Sequence, residues 1–182
     1  MTQINIVLTP LIPVMKLITK SNKIEMRKSY ISSSMGIFAK NDIVKGEVLI
    51  DAEADIIKKL TAYSLQIGES KFLFARYIDN YINHSCDPNV FVKLYSNNRK
   101  RYSYIALKNI KKGQELFWNY NTNDWDVAKN FSFVCNCDSK NCAKLIRGIK
   151  YLTKSQQKKL MPIATPFIRK KLAGIRRIGS NS

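Results

Sequence analysis

The sequence predicts a mostly β domain of α+β type that ends in a helical, basic segment. Three observations predict it. Short stretches that alternate apolar and polar residues are joined by clusters of turn formers. Three of the four cysteines crowd into Cys135, Cys137 and Cys142, just after the last such stretch. Beyond them the composition turns strongly cationic. The chain has 182 residues, 45% of them apolar, which suffices for one domain core and excludes wholesale disorder. No apolar run reaches the ~18 residues of a membrane-spanning helix.

The elements follow in order. Ile4, Ile6 and Leu8 alternate like a short strand that Pro10 ends. This apolar start is broken by Pro10 and Pro13 and lacks a basic residue before Lys16 and a small-residue cleavage site. It does not read as a secretory signal, so an intracellular setting, cytoplasm or nucleus, is expected, with a secreted effector left open. From Lys23 to Ile50 the pattern is strand, turn, strand, with the turn at Ser32-Ser33-Ser34-Met35-Gly36 and Ile37-Phe38-Ala39 after it. Asn41-Asp42 and Lys45-Gly46 turn the chain into Val48-Leu49-Ile50. Tyr63, Leu65 and Ile67, then Gly68 and Phe72 to Phe74, read as a hairpin. Val90, Val92 and Leu94 form another strand, Asn97-Asn98 a turn, and Tyr102, Tyr104 and Ala106 the return. Residues 121–130 read as a polar connector. Thr153 with Gln156 predicts a capping box for a helix to Leu160, and Phe167 to Ile178 an amphipathic helix.

The net charge is +18, and it is uneven. Residues 139–182 hold twelve Lys or Arg and no acid, leaving +6 for residues 1–138. Such a segment attracts polyanions, or is a solvated helical face. Asp51, Glu53 and Asp55, and Asp124 with Asp126, read either as acids that draw in a basic substrate or as ordinary surface charges.

Cys135, Cys137 and Cys142 form C-x-C-x4-C, and Cys86 lies 49 residues before them. Four thiolates match a structural zinc. Two disulfides compete, although an intracellular setting disfavours them and a bridge across one residue is strained; free buried thiols are the third possibility. One zinc would tie the segment after residue 131 to the Cys86 loop. That loop, Asn83-His84-Ser85-Cys86-Asp87-Pro88-Asn89, holds the chain's one histidine. No G-x-S-x-G or other nucleophile constellation accompanies it, so a hydrolase is poorly supported.

The loop resembles the N-H-S-C-x-P-N signature of SET-domain protein-lysine methyltransferases. Lys112-Gly113-Gln114-Glu115-Leu116-Phe117-Trp118-Asn119-Tyr120 is similar to that family's G-x-E-L-x-x-x-Y segment. Ser34-Met35-Gly36-Ile37-Phe38-Ala39 is similar, more weakly, to its G-x-G-V-F-A segment, and the cysteines to its post-SET zinc motif. The resemblance covers about residues 23–148. It implies a β-clip fold with a pseudo-knot, and these regions: an N-terminal extension (1–22), the SET domain (23–120), a connector and post-SET motif (121–148) and a basic tail (149–182). It is a compact form without the helical pre-SET region.

The resemblance further implies methyl transfer from S-adenosylmethionine to lysines of a histone or other basic protein. Tyr120 matches the catalytic tyrosine and also meets the donor. Gly36, Ile37, Phe38, Asn83 and His84 match donor-binding positions, with the missing Cβ of Gly36 letting the backbone come close. Trp118 and Tyr104 are expected to line the lysine channel, and Phe133 to pack near the adenine, though no motif fixes the last. Cys86, Cys135, Cys137 and Cys142 would hold one structural Zn2+. Three departures stand out. Ser34 replaces a glycine and needs a negative φ, Asn119 replaces an aspartate, and Trp118 replaces Phe or Tyr, which leaves the number of methyl groups open. A non-catalytic SET module that binds a protein or nucleic-acid partner is the alternative, and contact of the basic tail with nucleic acid or nucleoprotein a possible addition.

Overall fold

The computed structural model describes residues 15–75, 77–95, 97–98, 100–127 and 131–179. The strand expected at Ile4, Ile6 and Leu8 lies outside them. The main sheet is antiparallel, with β1 (Met15–Lys20), β4 (Val48–Ala54), β10 (Arg101–Ala106) and β9 (Val90–Leu94) side by side in that order. The two central strands are covered on both faces: Leu49, Ile50, Ala52, Tyr102 and Tyr104 are buried. A carboxylate in such a strand needs partners. Asp51 has them one strand away: Arg101 Nη2 at 2.5 Å, Arg101 Nε at 3.1 Å and Ser103 Oγ at 2.8 Å. The Arg101 guanidinium holds the Asp51 carboxyl below its ordinary range.

The predicted Ser32–Gly36 turn joins a hairpin of β2 (Ile24–Lys28) and β3 (Met35–Ala39). The predicted hairpin at 63–74 forms as β6 (Ser64–Gly68) and β7 (Lys71–Phe74), with β5 (Ile56–Ile57) added on the far edge of β7. Two residues of β8 (Asn83–His84) pair in parallel with two of β11 (Phe117–Trp118). A last short pair, β12 (Phe133–Val134) with β13 (Leu145–Ile146), holds the cysteine segment.

The basic end is docked on the domain. Helix α1 (Lys154–Leu160) starts with the expected capping box: Thr153 Oγ1 accepts the Gln156 N–H at 3.3 Å, and the Gln156 side chain accepts the Thr153 N–H at 3.0 Å. Helix α2 (Pro166–Gly179) follows a 3-10 turn. Ile149, Leu160, Ala164, Ile168 and Leu172 form their own buried cluster, against which Trp125 packs. Thr165 N–H donates to Thr122 O at 2.9 Å, and Lys171 pairs with Glu69 at 2.7 Å. The cations Lys154, Lys158, Lys159, Arg169 and Lys170 stay exposed on the outer side. Among the described residues no helix is long and apolar enough to cross a membrane.

Candidate active site

The β8–β11 ladder places the two sequence motifs side by side. Its register is Asn83 opposite Phe117 and His84 opposite Trp118. A two-residue ladder alone is weak, and bonds from the flanking residues extend it. Ser85 N–H donates to Trp118 O at 3.1 Å and Asn89 N–H to Phe117 O at 3.0 Å. The Asn89 side chain accepts the Phe117 N–H at 2.7 Å and donates to Glu115 O at 2.8 Å. The N-H-S-C-x-P-N loop is thus a template for the strand that leads to Tyr120.

His84 is the pivot. Its Nδ1 accepts the Tyr120 N–H at 3.1 Å, which assigns the ring proton to Nε2, 3.4 Å from Cys86 Sγ. Burial lowers the imidazole pKa to about 3, so the ring is neutral. Both ring nitrogens have protein partners; only the His84 backbone is left for a ligand. Tyr120 stacks edge-on against His84 at 5.1 Å and against Phe133 at 6.0 Å. Its hydroxyl donates to Ile82 O at 3.2 Å, and Trp118 Nε1 donates to the same carbonyl at 3.1 Å. Burial and the charge of Asp124 push the Tyr120 phenol up, so it stays protonated. Tyr104 closes the arrangement, edge-on to Trp118 at 5.7 Å.

These groups line one cavity of about 360 Å³. Tyr120, Trp118, Tyr104, Ile82, Phe133 and Asp124 form much of its wall, with Asp79 behind Tyr104. Each oxygen of the Asp79 carboxyl has a donor, Tyr102 Oη at 3.0 Å and the Tyr77 N–H at 3.1 Å, and burial raises its pKa. Asp124 is half-buried, and burial raises its carboxyl to about 7. Asp51, Glu53 and Asp55 read in the sequence either as substrate-attracting acids or as ordinary surface charges, and the structure gives each of them a protein partner. Arg101 engages Asp51, Asn98 Nδ2 donates to Glu53 at 2.7 Å, and Lys100 pairs with Asp55 at 3.0 Å. Asp126 pairs with Lys150. Asp124 alone of the five faces the cavity.

Of the expected donor-binding residues Tyr120 lines this cavity, while Gly36, Ile37, Phe38, Asn83 and His84 are not part of its wall. Ile37 and Phe38 are fully buried, and the Ile37 carbonyl accepts the Leu116 N–H at 2.7 Å. The Phe38 ring packs edge-on to Tyr30 at 5.0 Å with Arg27 over its face at 4.9 Å. Asn83 Nδ2 donates to Met35 O at 3.1 Å and to Glu115 Oε1 at 2.9 Å, tying the hairpin turn to the loop. Gly36 is glycine for a reason that sequence reasoning missed. A Cβ there would stand 2.2 Å from Glu115 Oε1, so the carboxylate, not a ligand, fills that space. Glu115 is buried and also accepts from Ser29 Oγ at 2.8 Å and the Tyr30 N–H at 3.0 Å. The buried glutamate within the G-x-E-L segment was the available signal. Ser34 keeps a negative φ, so the turn forms without its glycine. Ser34 lines a neighbouring open cleft with Met26 and Tyr77, and that cleft shares Tyr63 and Asn80 with the cavity. Asn119 caps the 3-10 turn Tyr120–Thr122, its Oδ1 accepting the Asn121 N–H at 3.1 Å.

The four Sγ atoms of Cys86, Cys135, Cys137 and Cys142 all lie within 4.8 Å of one another, and none is in a disulfide. A tetrahedron with Zn–S bonds of about 2.3 Å has sulfur–sulfur edges of about 3.8 Å, so the four residues fit a zinc ion. N–H groups already point at the sulfurs: Cys86 at Cys137 (3.4 Å), Ala143 at Cys86 (3.3 Å) and Lys144 at Cys142 (3.4 Å). Burial pushes the Cys86 thiol up to about 12. Burial opposes ionisation of Cys137 too, but N–H donors from Cys86 and Ser139 overturn it, to about 6.

This is a mostly β domain that threads two remote segments into one ladder beneath a partly buried tyrosine. Comparison with known families and proteins defines it further. Residues 34–121 match the SET domain family. The chain carries a SET domain. Its relatives include the H3 lysine-36 specific histone-lysine N-methyltransferase of Candida albicans, 25% identical over 132 residues (62% of this chain, 15% of that protein). Another is histone-lysine N-methyltransferase EHMT1 of Mus musculus, 30% identical over 109 residues (53% of this chain, 8% of that protein). Among solved structures, polycomb repressive complex 2 of Chaetomium thermophilum aligns with a TM-score of 0.47 at 28% identity, over 56% of this chain and 15% of that one. The matched region is thus a small fraction of each relative's length.

Proposed function

We propose that this chain transfers methyl groups from S-adenosylmethionine to lysine side chains of a protein substrate, a histone or another basic protein. One observation carries the reading: the phenol of Tyr120 and the indole N–H of Trp118 share the Ile82 carbonyl and so fix two aromatic walls where the cavity meets the N-H-S loop. Histone-lysine methyltransferase relatives point to the same chemistry at the level of the family.

Bound donor would supply a methyl group on a sulfonium, with its own leaving group. The residues that would hold it are the backbone of Gly36–Phe38, Asn83, the His84 backbone and Tyr120. The chain then has to position a neutral amine. An unperturbed lysine has a pKa of about 10.4, so the neutral form costs roughly 4.6 kcal/mol at pH 7. The apolar faces of Trp118, Tyr104 and Phe133 favour the uncharged form by desolvation. The Tyr120 hydroxyl donates to Ile82 O, which leaves its lone pairs free to accept an amine N–H and so orient the nitrogen. Phe133, brought in by the cysteine segment, adds an apolar face to the wall. Zinc would hold that segment and takes no part in the chemistry.

The test uses methyl-labelled S-adenosylmethionine with wild type and Tyr120→Phe, offered nucleosomes, free histones, ribosomes and whole-cell lysate. Label on lysine with wild type, lost at least ~100-fold in the variant with donor binding intact, is the expected result. Donor binding without label on any protein would favour a binding module. We also propose that the exposed cations of α1 and α2 contact nucleic acid that carries the substrate, within the cytoplasm or nucleus. Deleting residues 150–182 would destroy a packed cluster, so Lys158→Glu with Lys170→Glu is the cleaner test. It should weaken labelling of nucleosomes or ribosomes and spare free histones. Equal loss on both sinks the idea.

A further inference from the structure

We infer that Asp124 takes the proton from the incoming lysine ammonium, through its Oδ2, before the methyl group moves. The inference rests on the methyl-transfer reading above and adds a group to it. Three observations place the carboxylate. First, Asp124 shares the cavity wall with Tyr120, Trp118 and Tyr104. Second, its backbone is fixed from two directions: its N–H donates to Tyr120 O at 3.1 Å and its carbonyl accepts the Ile149 N–H at 2.9 Å. The next residue is anchored as well, with Trp125 N–H on Gln66 Oε1 at 2.9 Å. Third, the carboxylate has one hydrogen bond, from Asn123 Nδ2 to Oδ1 at 3.0 Å. Among the described residues, Oδ2 has no donor and no lysine or arginine lies within ion-pair distance. The other carboxylate on this wall, Asp79, has a donor on each oxygen, Tyr102 Oη and the Tyr77 N–H.

Among the described residues no cation pairs with Asp124. From the cavity wall it faces Tyr120, Tyr104, Tyr63 and Asp79. From the segment around Ile149 the nearest cation is Lys150, whose ammonium pairs with Asp126. Neutral His84 stands on the far side of the Tyr120 ring. An arriving ammonium is therefore the natural counter-ion of Oδ2. One N–H bond of the ammonium breaks, its electron pair stays on nitrogen, and the proton bonds to Oδ2. The carboxylic acid is neutral and returns its proton to solvent after the product leaves. A carboxyl raised to about 7 by burial is a far better acceptor than an ordinary aspartate. The same arrangement explains how a protein of net charge +18 admits a cationic side chain.

The test follows methylation of recombinant core histones from pH 6 to 10 under single-turnover conditions, with wild type, Asp124→Asn and Asp124→Ala. Wild type should rise with pH and flatten above about pH 7–8. Asp124→Asn should keep rising about tenfold per pH unit toward the lysine's own pKa near 10.4. The two should therefore differ by ~100-fold or more at pH 7 and by less than about threefold at pH 10. Formate should restore part of the rate of Asp124→Ala at pH 7. A constant ratio across the pH range, with no rescue by formate, overturns the inference and leaves Asp124 a structural role. Should Asp124→Asn lose the wild-type melting temperature, Asp124→Glu decides: a bend displaced along the pH axis supports proton transfer, and an unmoved bend refutes it. Wild type that labels neither histones nor lysate protein at any pH overturns the methyl-transfer reading itself, and this inference with it.

Discussion

Replacing Gly36 by alanine should cost about 3–4 kcal/mol, and the structure supplies the terms. The new Cβ stands 2.2 Å from Glu115 Oε1 and 2.8 Å from Glu115 Cδ. Relief requires the carboxylate to withdraw by roughly 1.2 Å or more, to ordinary contact distance. Oε1 now accepts from Ser29 Oγ at 2.8 Å and Asn83 Nδ2 at 2.9 Å. A shift of that size stretches both past hydrogen-bond range. Each bond to an ionised group is worth about 1.5–3 kcal/mol, and the structure recovers part by relaxing. Gly36 does not adopt the left-handed backbone, so alanine adds no strain of that kind. It gains about 0.4–1 kcal/mol from a less flexible unfolded chain. Urea unfolding at pH 7 with zinc present reads the loss, and the melting temperature should fall by about 6–16 °C for a chain of this size. The double variant Gly36→Ala with Glu115→Asp should be little worse than Glu115→Asp alone, since the shorter side chain clears the Cβ. A Gly36→Ala cost below about 1 kcal/mol, or simple additivity in the double variant, would refute the assignment of that space to Glu115.

Further consequences can be measured. Purified protein should carry about one zinc per chain, and Cys86→Ser and Cys142→Ser should each lose it and several kcal/mol of stability; metal analysis showing no zinc in wild type ends that assignment. Asp51 has a folded pKa below its unfolded value, so its contribution is fully present above about pH 4 and is lost as pH falls through the lower folded value. Asp51→Asn should be about 1–2 kcal/mol less stable at pH 7, and the difference should shrink as the pH falls below about 4; a gap independent of pH would remove Arg101 as its cause. Gly148 has φ +111° and its Cβ position lies 2.5 Å from Trp125 O. Gly148→Ala should cost about 2–4 kcal/mol, with Trp125 fluorescence reporting the loosened helical cap; a wild-type emission spectrum and unchanged melting would count against that packing.

Much of the architecture was legible because local signals suffice for it. Alternation at Val90, Val92 and Leu94 and at Tyr102, Tyr104 and Ala106 marks strands wherever one face is apolar, and Thr153 with Gln156 announces a helix start in four residues. The motifs that carry the site were legible by resemblance. What escaped were long-range facts with no periodicity. Nothing near Glu115 in the sequence says that its carboxylate will meet Ser29, Tyr30 and Asn83, at 86, 85 and 32 residues' distance. The pairing of Asp51, Glu53 and Asp55 was equally hidden, because their partners lie across a strand in the 98–103 stretch. The basic segment looked like an appendage because charge dominates its composition. Four apolar residues spaced four apart, Leu160, Ala164, Ile168 and Leu172, pack with Ile149 into the cluster that fastens it to Trp125.

The parallel ladder between β8 and β11 bears on how the molecule is made. Tyr120 is held by His84, and Phe133 reaches the same cavity only when the β12–β13 pair closes, which requires Ile146. A growing chain therefore emits its tyrosine long before the parts that enclose it exist. Until about residue 146 has left the ribosome tunnel, the apolar strands of the main sheet have a template but no closed site. Contacts of such long sequence separation form slowly. Any shortened version that ends before that point should fail to mature, however intact its motifs, because the last piece of the wall is also the last to be synthesised.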